Sequence, residues 1–118
     1  MNKRSVGNRG EDLAYDFLRE NGIIVLERNY RFHKTGEIDL IGKDGEYLVF
    51  FEVKYRAGAN KGTAAEAVTF YKQRQISKVA EAYLYQKRYP MNTAVRFDVI
   101  AIDGEDINWY KNAFDFVG

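Results

Sequence analysis

The stretch from Gly36 to Lys54, GEIDLIGKDGEYLVFFEVK, constrains the fold more than any other part of the chain. Two apolar runs flank an Asp-Gly dipeptide. Asp-Gly between such runs signals a hairpin, because a type I′ turn needs φ > 0 at both central residues. With Asp44 and Gly45 as the loop, Lys43 pairs with Glu46. Counting outward sets Ile41 against Leu48, Asp39 against Phe50 and Glu37 against Glu52. Opposed residues share a face of the sheet, and side chains alternate along each strand. This register therefore gathers Glu37, Asp39, Glu52 and Lys54 on one face and puts Ile38, Leu40, Val49, Phe51 and Val53 on the other. A loop longer by one residue would turn one set of acids to the opposite side.

Carboxylates inside strands run against both strand propensity and burial. Like charges opposed across a pair cost roughly 0.2–1 kcal/mol, and more when desolvated. A divalent cation relieves that repulsion. Mg²⁺ (or Mn²⁺) takes oxygen ligands, typically one or two carboxylates, together with water and phosphate oxygens. Asp39 and Glu52 are the candidate ligands, with Glu37 or Glu11 assisting. Such an ion acidifies a bound water and stabilises charge on a phosphate. Lys54, on the same face, either orients the attacking water or neutralises the transition state. The competing reading is a solvated sheet face carrying a Glu–Lys pair. Asp39 in register and such apolar flanks favour the metal.

An Asp on one strand, a hairpin, then Glu-x-Lys on the next resembles the PD-(D/E)XK pattern of restriction-endonuclease-like nucleases, with Ile38 where that pattern has proline. More narrowly, the chain is similar to the small YraN family of bacterial proteins. The matching pieces are Gly7-x-x-Gly10-Glu11, Arg28-Asn29-Tyr30, Gly36 to Ile41, Phe51 to Arg56, Lys72 with Ile76, Arg96 to Val99, and Ala113-Phe114. They run in order through nearly the whole chain. The resemblance implies the nuclease core fold, like that of Holliday-junction resolvases. It also implies an acid on the first helix near the metal, here Glu11, and a basic or amide residue near the site on the later helix, here Lys72. It does not imply a demonstrated activity.

A length of 118 residues fits one domain. With 46 % apolar residues the chain has the means to pack a core rather than remain disordered. The absence of cysteine excludes disulfides and thiolate metal sites, and is compatible with a cytoplasmic protein. No apolar run approaches the length of a membrane span. A net charge of +1 is low for a nucleic-acid binder, but the cations cluster. Lys54, Arg56 and Lys61 surround the candidate site, and Lys72, Arg74 and Lys78 follow on one later segment. For any one cluster, scattered solvated lysines are an equal reading.

Gly10 to Asn21 reads as a helix, with Leu13, Ala14, Phe17 and Leu18 as its apolar stripe, Asn8 as N-cap and Gly22 as stop. Glu11 in its first turn has two readings, a partner for the helix dipole or an extra acid at the metal. Ile23 to Phe32 reads as the first strand, and His33, the sole histidine, falls in a polar turn. Tyr55 to Ala65 reads as a loop. Glu66 to Tyr89 reads as a long helix ended by Pro90. Lys72 interrupts its apolar face, four residues from both Val68 and Ile76, so it either snorkels or has a partner, and a phosphate or a site carboxylate is the favoured one. Gln75 is a weaker second candidate there. Ala94 to Ile102 alternates but is apolar on much of both faces, as an interior strand is. Asp98 within it reads as structural, paired with Arg96 or a lysine. A short strand, Ile107 to Lys111, follows, and Ala113, Phe114 and Phe116 then plug the core.

The expected fold is α/β, with element order α-β-β-β-α-β-β and a mixed sheet flanked by helices around a restriction-endonuclease-like core. The expected function is a Mg²⁺- or Mn²⁺-dependent DNA endonuclease acting on branched or single-stranded DNA. Asp39, Glu52, Lys54, Lys72 and Glu11 carry the chemistry, and Arg56, Lys61, Lys72, Arg74 and Gln75 hold the strand. The site is expected to open on a sheet edge, and a homodimer is expected, since so small a domain commonly needs a second copy to grip a duplex. The alternative is a non-catalytic module that binds nucleic acid or a partner on the same fold.

Overall fold

The computed structural model describes residues 6–56 and 68–118, with side chains described for 10–55 and 68–118. Helix α1 (Val6–Glu20) leads into three antiparallel strands, β1 (Ile24–Phe32), β2 (Gly36–Asp44) and β3 (Tyr47–Arg56). Helix α2 (Phe70–Gln86) then crosses to β4 (Val95–Asp103), which pairs parallel to β3, and β5 (Asp106–Phe114) returns antiparallel. The five strands form one mixed sheet in the order β1-β2-β3-β4-β5. This is the expected α-β-β-β-α-β-β arrangement. No described helix is long and apolar enough to cross a membrane.

Alternation along β3 separates two cores. Leu48 and Phe50 point to the α2 side and pack with Ile41, Ile76, Val79, Tyr83, Phe97 and Val99. Val49 and Phe51 point to the α1 side and pack with Ala14, Leu18, Leu40, Ile100 and Ile102. Each fully buried side chain of this size contributes about 1.5–3 kcal/mol. Aromatic rings join the α2 core across strands: Phe50 stacks on Phe97 at 5.6 Å and Phe97 on Phe114 at 5.1 Å between ring centroids.

The hairpin turn sits one residue later than the sequence predicts. Asp44 pairs with Tyr47, so Gly45 and Glu46 are the loop residues and Lys43 faces Leu48. Gly45 has φ +60° whereas Glu46 is not among the residues with positive φ. A turn with Gly first needs φ > 0 only at the glycine, while the Asp44-Gly45 alternative would also force Asp44 into the left-handed region. The pairing sum therefore moves by two, which preserves every face. In this register the residue in line with Glu52 is Asp39, not Glu37.

Other boundaries move for local reasons. Helix α1 begins at Val6, upstream of the expected cap, so Asn8 lies within it. Helix α2 starts at Phe70 rather than Glu66, because the Thr69 side chain accepts from the Lys72 backbone N–H at 3.1 Å and caps it. Its end comes before Tyr89, with Lys87 at the C-cap and Arg88 at φ +61°. Strand β5 is longer than expected and reaches Phe114. Phe116 is 51 % exposed and does not plug the core, whereas Ala113 and Phe114 pack against it.

Asp98, wholly buried, explains the irregularity between β4 and β5. The register shifts between Phe97 and Val99, and the Asp98 carboxylate fills the gap. It accepts from Arg96 Nε at 2.9 Å and Nη2 at 2.8 Å, from Trp109 Nε1 at 2.8 Å and from the Asn112 backbone N–H at 2.8 Å. Arg96 also donates to Asp44 at 2.8 Å, tying this network to the hairpin turn. The buried carboxylate thus has every lone pair occupied, and its role is structural, as its sequence context indicates.

Candidate metal and nucleic-acid site

Strands β2 and β3 pair from Asp44↔Tyr47 to Leu40↔Phe51, and the ladder stops there. One residue on, the Asp39 side chain takes over from the backbone: its Oδ2 accepts from the Val53 N–H at 2.7 Å. Face alternation breaks at the same point. Ile38 packs in the α2 core and Leu40 in the α1 core, although two residues apart they should share a face. The expectation that Ile38 lies with Leu40, Val49 and Phe51 is therefore corrected. A local divergence of the strands opens a slot in the sheet, and Asp39 lies in it. The slot falls between the second and third strands, not on a sheet edge.

Next to Asp39, β3 carries Glu52, only 7 % exposed, with Lys54 close enough to act on its charge. The Asp39 and Glu52 carboxyls are within hydrogen-bonding reach of each other. Burial pushes the Asp39 carboxyl up to about 8, and the neighbouring Glu52 charge adds to the rise. The Val53 N–H opposes it, Glu11 raises it further, and Lys72 lowers it. Glu52 is raised by burial, against the pull of Lys72, then Lys54 and the hydrogen bond with Asp39. Two acids forced together in low dielectric hold a proton between them unless a cation replaces it.

Five of the predicted residues thus converge from four elements: Glu11 from α1, Asp39 from β2, Glu52 and Lys54 from β3, and Lys72 from the first turn of α2. Glu37 does not join them. Its carboxylate is held by Arg31 Nη1 at 3.2 Å, on the outer strand. Among the described residues no three carboxylate, imidazole or thiolate groups stand close enough to hold a metal together, and Glu37 stands apart from Asp39 and Glu52. A pair is sufficient for Mg²⁺, which keeps several waters. Lys61 and the side chain of Arg56 lie outside the described residues. Gln75 is committed elsewhere, donating from Nε2 to the Thr35 carbonyl at 3.1 Å. His33 is exposed, as its place in a polar turn predicts.

Comparison with known proteins decides the relationship. The profile of the uncharacterised protein family UPF0102 matches residues 10–102. The chain belongs to the UPF0102 family. A UPF0102 protein of Herminiimonas arsenicoxydans is 47 % identical over 96 % of this chain and 89 % of its own length. One from Lachnoclostridium phytofermentans is 46 % identical over all of this chain and 99 % of its own. A third, from Caldicellulosiruptor saccharolyticus, is 44 % identical over 97 % of this chain and its full length. The YraN resemblance and UPF0102 are the same family, and the matched span contains all five converging residues.

Within this UPF0102 chain, one supporting residue has no role in the sequence reading. Asn29 adopts φ +54° on β1 and donates from Nδ2 to Glu11 Oε1 at 2.9 Å, aiming the helix acid. Asparagine tolerates the left-handed region better than most residues. That tolerance is the available signal, but nothing local shows that a strand should need it there.

Proposed function

We propose that this chain is a Mg²⁺- or Mn²⁺-dependent DNA endonuclease that acts on branched or single-stranded substrates. The observation that carries the reading is the Asp39–Glu52 pair, with Glu52 buried and Asp39 half-buried, set where the β2–β3 ladder ends and faced by two lysines. Two hard oxygen donors whose ionisation is opposed by burial and by each other match what a divalent cation requires. Asp39 and Glu52 would hold the ion. When bound, it supplies an acidified water and offsets charge on the scissile phosphate.

The chain's own residues do the rest. The Val53 N–H fixes the Asp39 carboxylate, so one of its oxygens is committed to the backbone and the other is left for the ion. Lys54 shares the Glu52 environment and is the group to orient the attacking water or to meet charge developing on the phosphate. Lys72 lowers both carboxyls and would be the residue to hold a non-bridging phosphate oxygen. Glu11, aimed by Asn29, would assist from the α1 side. No histidine base is needed. Linear, nicked, flapped and four-way DNA with Mg²⁺ or Mn²⁺ tests this reading. The wild type cleaves at least one substrate, and Glu52→Gln and Lys54→Ala do not. Binding without cleavage across all substrates and both metals would replace it with the non-catalytic module.

A further inference from the structure

Helix α2 presents a second constellation beside the carboxylates. Lys34 and Thr35, in the turn between β1 and β2, and Tyr71, Arg74, Gln75 and Lys78 of α2 line a cavity of about 350 Å³. That volume is at the lower end for small-ligand pockets. Residues 71, 74, 75 and 78 share a helical face. The Gln75–Thr35 hydrogen bond ties that face to the turn. None of Lys34, Arg74 and Lys78 forms an ion pair with any described residue, although other surface cations do, such as Arg28 with Asp12 and Lys87 with Glu27. Three cations lining one cavity, none paired among the described residues, repel one another and favour an anion.

Two large aromatics accompany them with no core to fill. Tyr71 is 71 % exposed and Phe70 is 66 % exposed, both in the first turn of α2, next to Lys72. Burial cannot account for aromatics placed in water beside a row of cations. A base can, because stacking on a ring is indifferent to sequence while cations follow the phosphates. Duplex DNA hides its base faces, so a ring at this position has nothing to stack on unless the strand is unpaired.

We propose that this cavity is a subsite for unpaired nucleotides, with a base on Tyr71 and the backbone phosphates on Lys34, Arg74 and Lys78. It deepens the nuclease reading, and rests on it for the identity of the strand as DNA. Asp39 lies four residue steps from Thr35, about 13 Å along an extended strand, a span of a few nucleotides. The subsite thus selects substrates with a single-stranded stretch next to the scissile bond, and Gln75 holds the two sides of the cavity together rather than contacting DNA.

Fluorescence anisotropy of the full chain in EDTA, with a labelled oligothymidine 15-mer and with a duplex of equal length, tests it apart from catalysis. Tyr71→Ala weakens single-strand binding about tenfold, shifts duplex binding less than about twofold, and leaves the circular dichroism spectrum unchanged. Tyr71→Phe, which keeps the ring, binds as wild type. Arg74→Ala with Lys78→Ala lowers the slope of log affinity against log salt for single-strand binding by about 1.4. Tyr71→Ala binding single strands as tightly as wild type overturns the proposal, as does an equal loss for both DNA forms. A wild type that discriminates in this way but cleaves nothing keeps the subsite and removes the endonuclease. One that cleaves but fails these binding tests does the reverse.

Discussion

Replacing Asp39 by asparagine should stabilise the metal-free protein at neutral pH, although it removes a residue at the centre of the site. Asparagine keeps an oxygen to accept the Val53 N–H and loses the charge that burial and Glu52 oppose. The folded-state carboxyl is pushed from 3.8 up to about 8. Its folded value is raised, so the folded state binds the extra proton. The contribution is full below the unfolded value and is lost as pH climbs towards 8. Between those limits stability falls by about 1.4 kcal/mol per pH unit for one proton, or about 3 kcal/mol at most from pH 5 to 7. Sharing of the proton with Glu52 reduces this to about 1–2 kcal/mol. Urea denaturation in EDTA at pH 5, 6, 7 and 8 reads it directly. Wild-type stability should decline relative to Asp39→Asn across the series, and saturating Mn²⁺ should restore the wild type alone. Parallel pH profiles for the two proteins would refute the buried-pair electrostatics.

Three further outcomes follow from the same geometry. Asp98→Ala leaves Arg96 buried beside an empty bulge and removes four hydrogen bonds, so it should cost about 3–5 kcal/mol in urea melts without touching the metal pair; a loss under about 1 kcal/mol would contradict the network's structural role. Gly42→Ala places a Cβ 2.9 Å from both the Ile24 carbonyl oxygen and the Ile23 side chain, and because backbone cannot yield cheaply it should cost about 1–3 kcal/mol, seen as a lowered thermal midpoint. Lys72→Met removes a charge that lowers both carboxyls, so the pH at which Mn²⁺ binding sets in should rise, measured by calorimetry from pH 5.5 to 8; an unchanged onset would separate Lys72 from the site.

Much of this site is legible in the chain because parity survives error. The turn could be placed at Asp44-Gly45 or at Gly45-Glu46, and either two-residue loop sends Asp39, Glu52 and Lys54 to one face. The cheaper glycine-first turn decides between them, and it alone brings Asp39 level with Glu52. Glu37 shares that parity yet is lost to Arg31, because the strands diverge at Asp39 and alternation no longer applies beyond it. Ile38 changes cores for the same reason. Neither local propensity nor spacing encodes such a break. The grouping of Lys34 with Tyr71, Arg74 and Lys78 was equally out of reach, since it depends on α2 docking against the β1–β2 turn. The Asp98 contacts were half legible: Arg96 is near in sequence, while Trp109 and Asn112 arrive only with the β4–β5 bulge.

The central claim is that Asp39 and Glu52 form a divalent-cation site. Isothermal titration of Mn²⁺ into the metal-free protein at pH 7.5, beside Glu52→Gln, tests it most directly. The wild type should bind saturably with proton release, and Glu52→Gln should lose at least about tenfold in affinity. Equal binding by both proteins, or none by either, would contradict it.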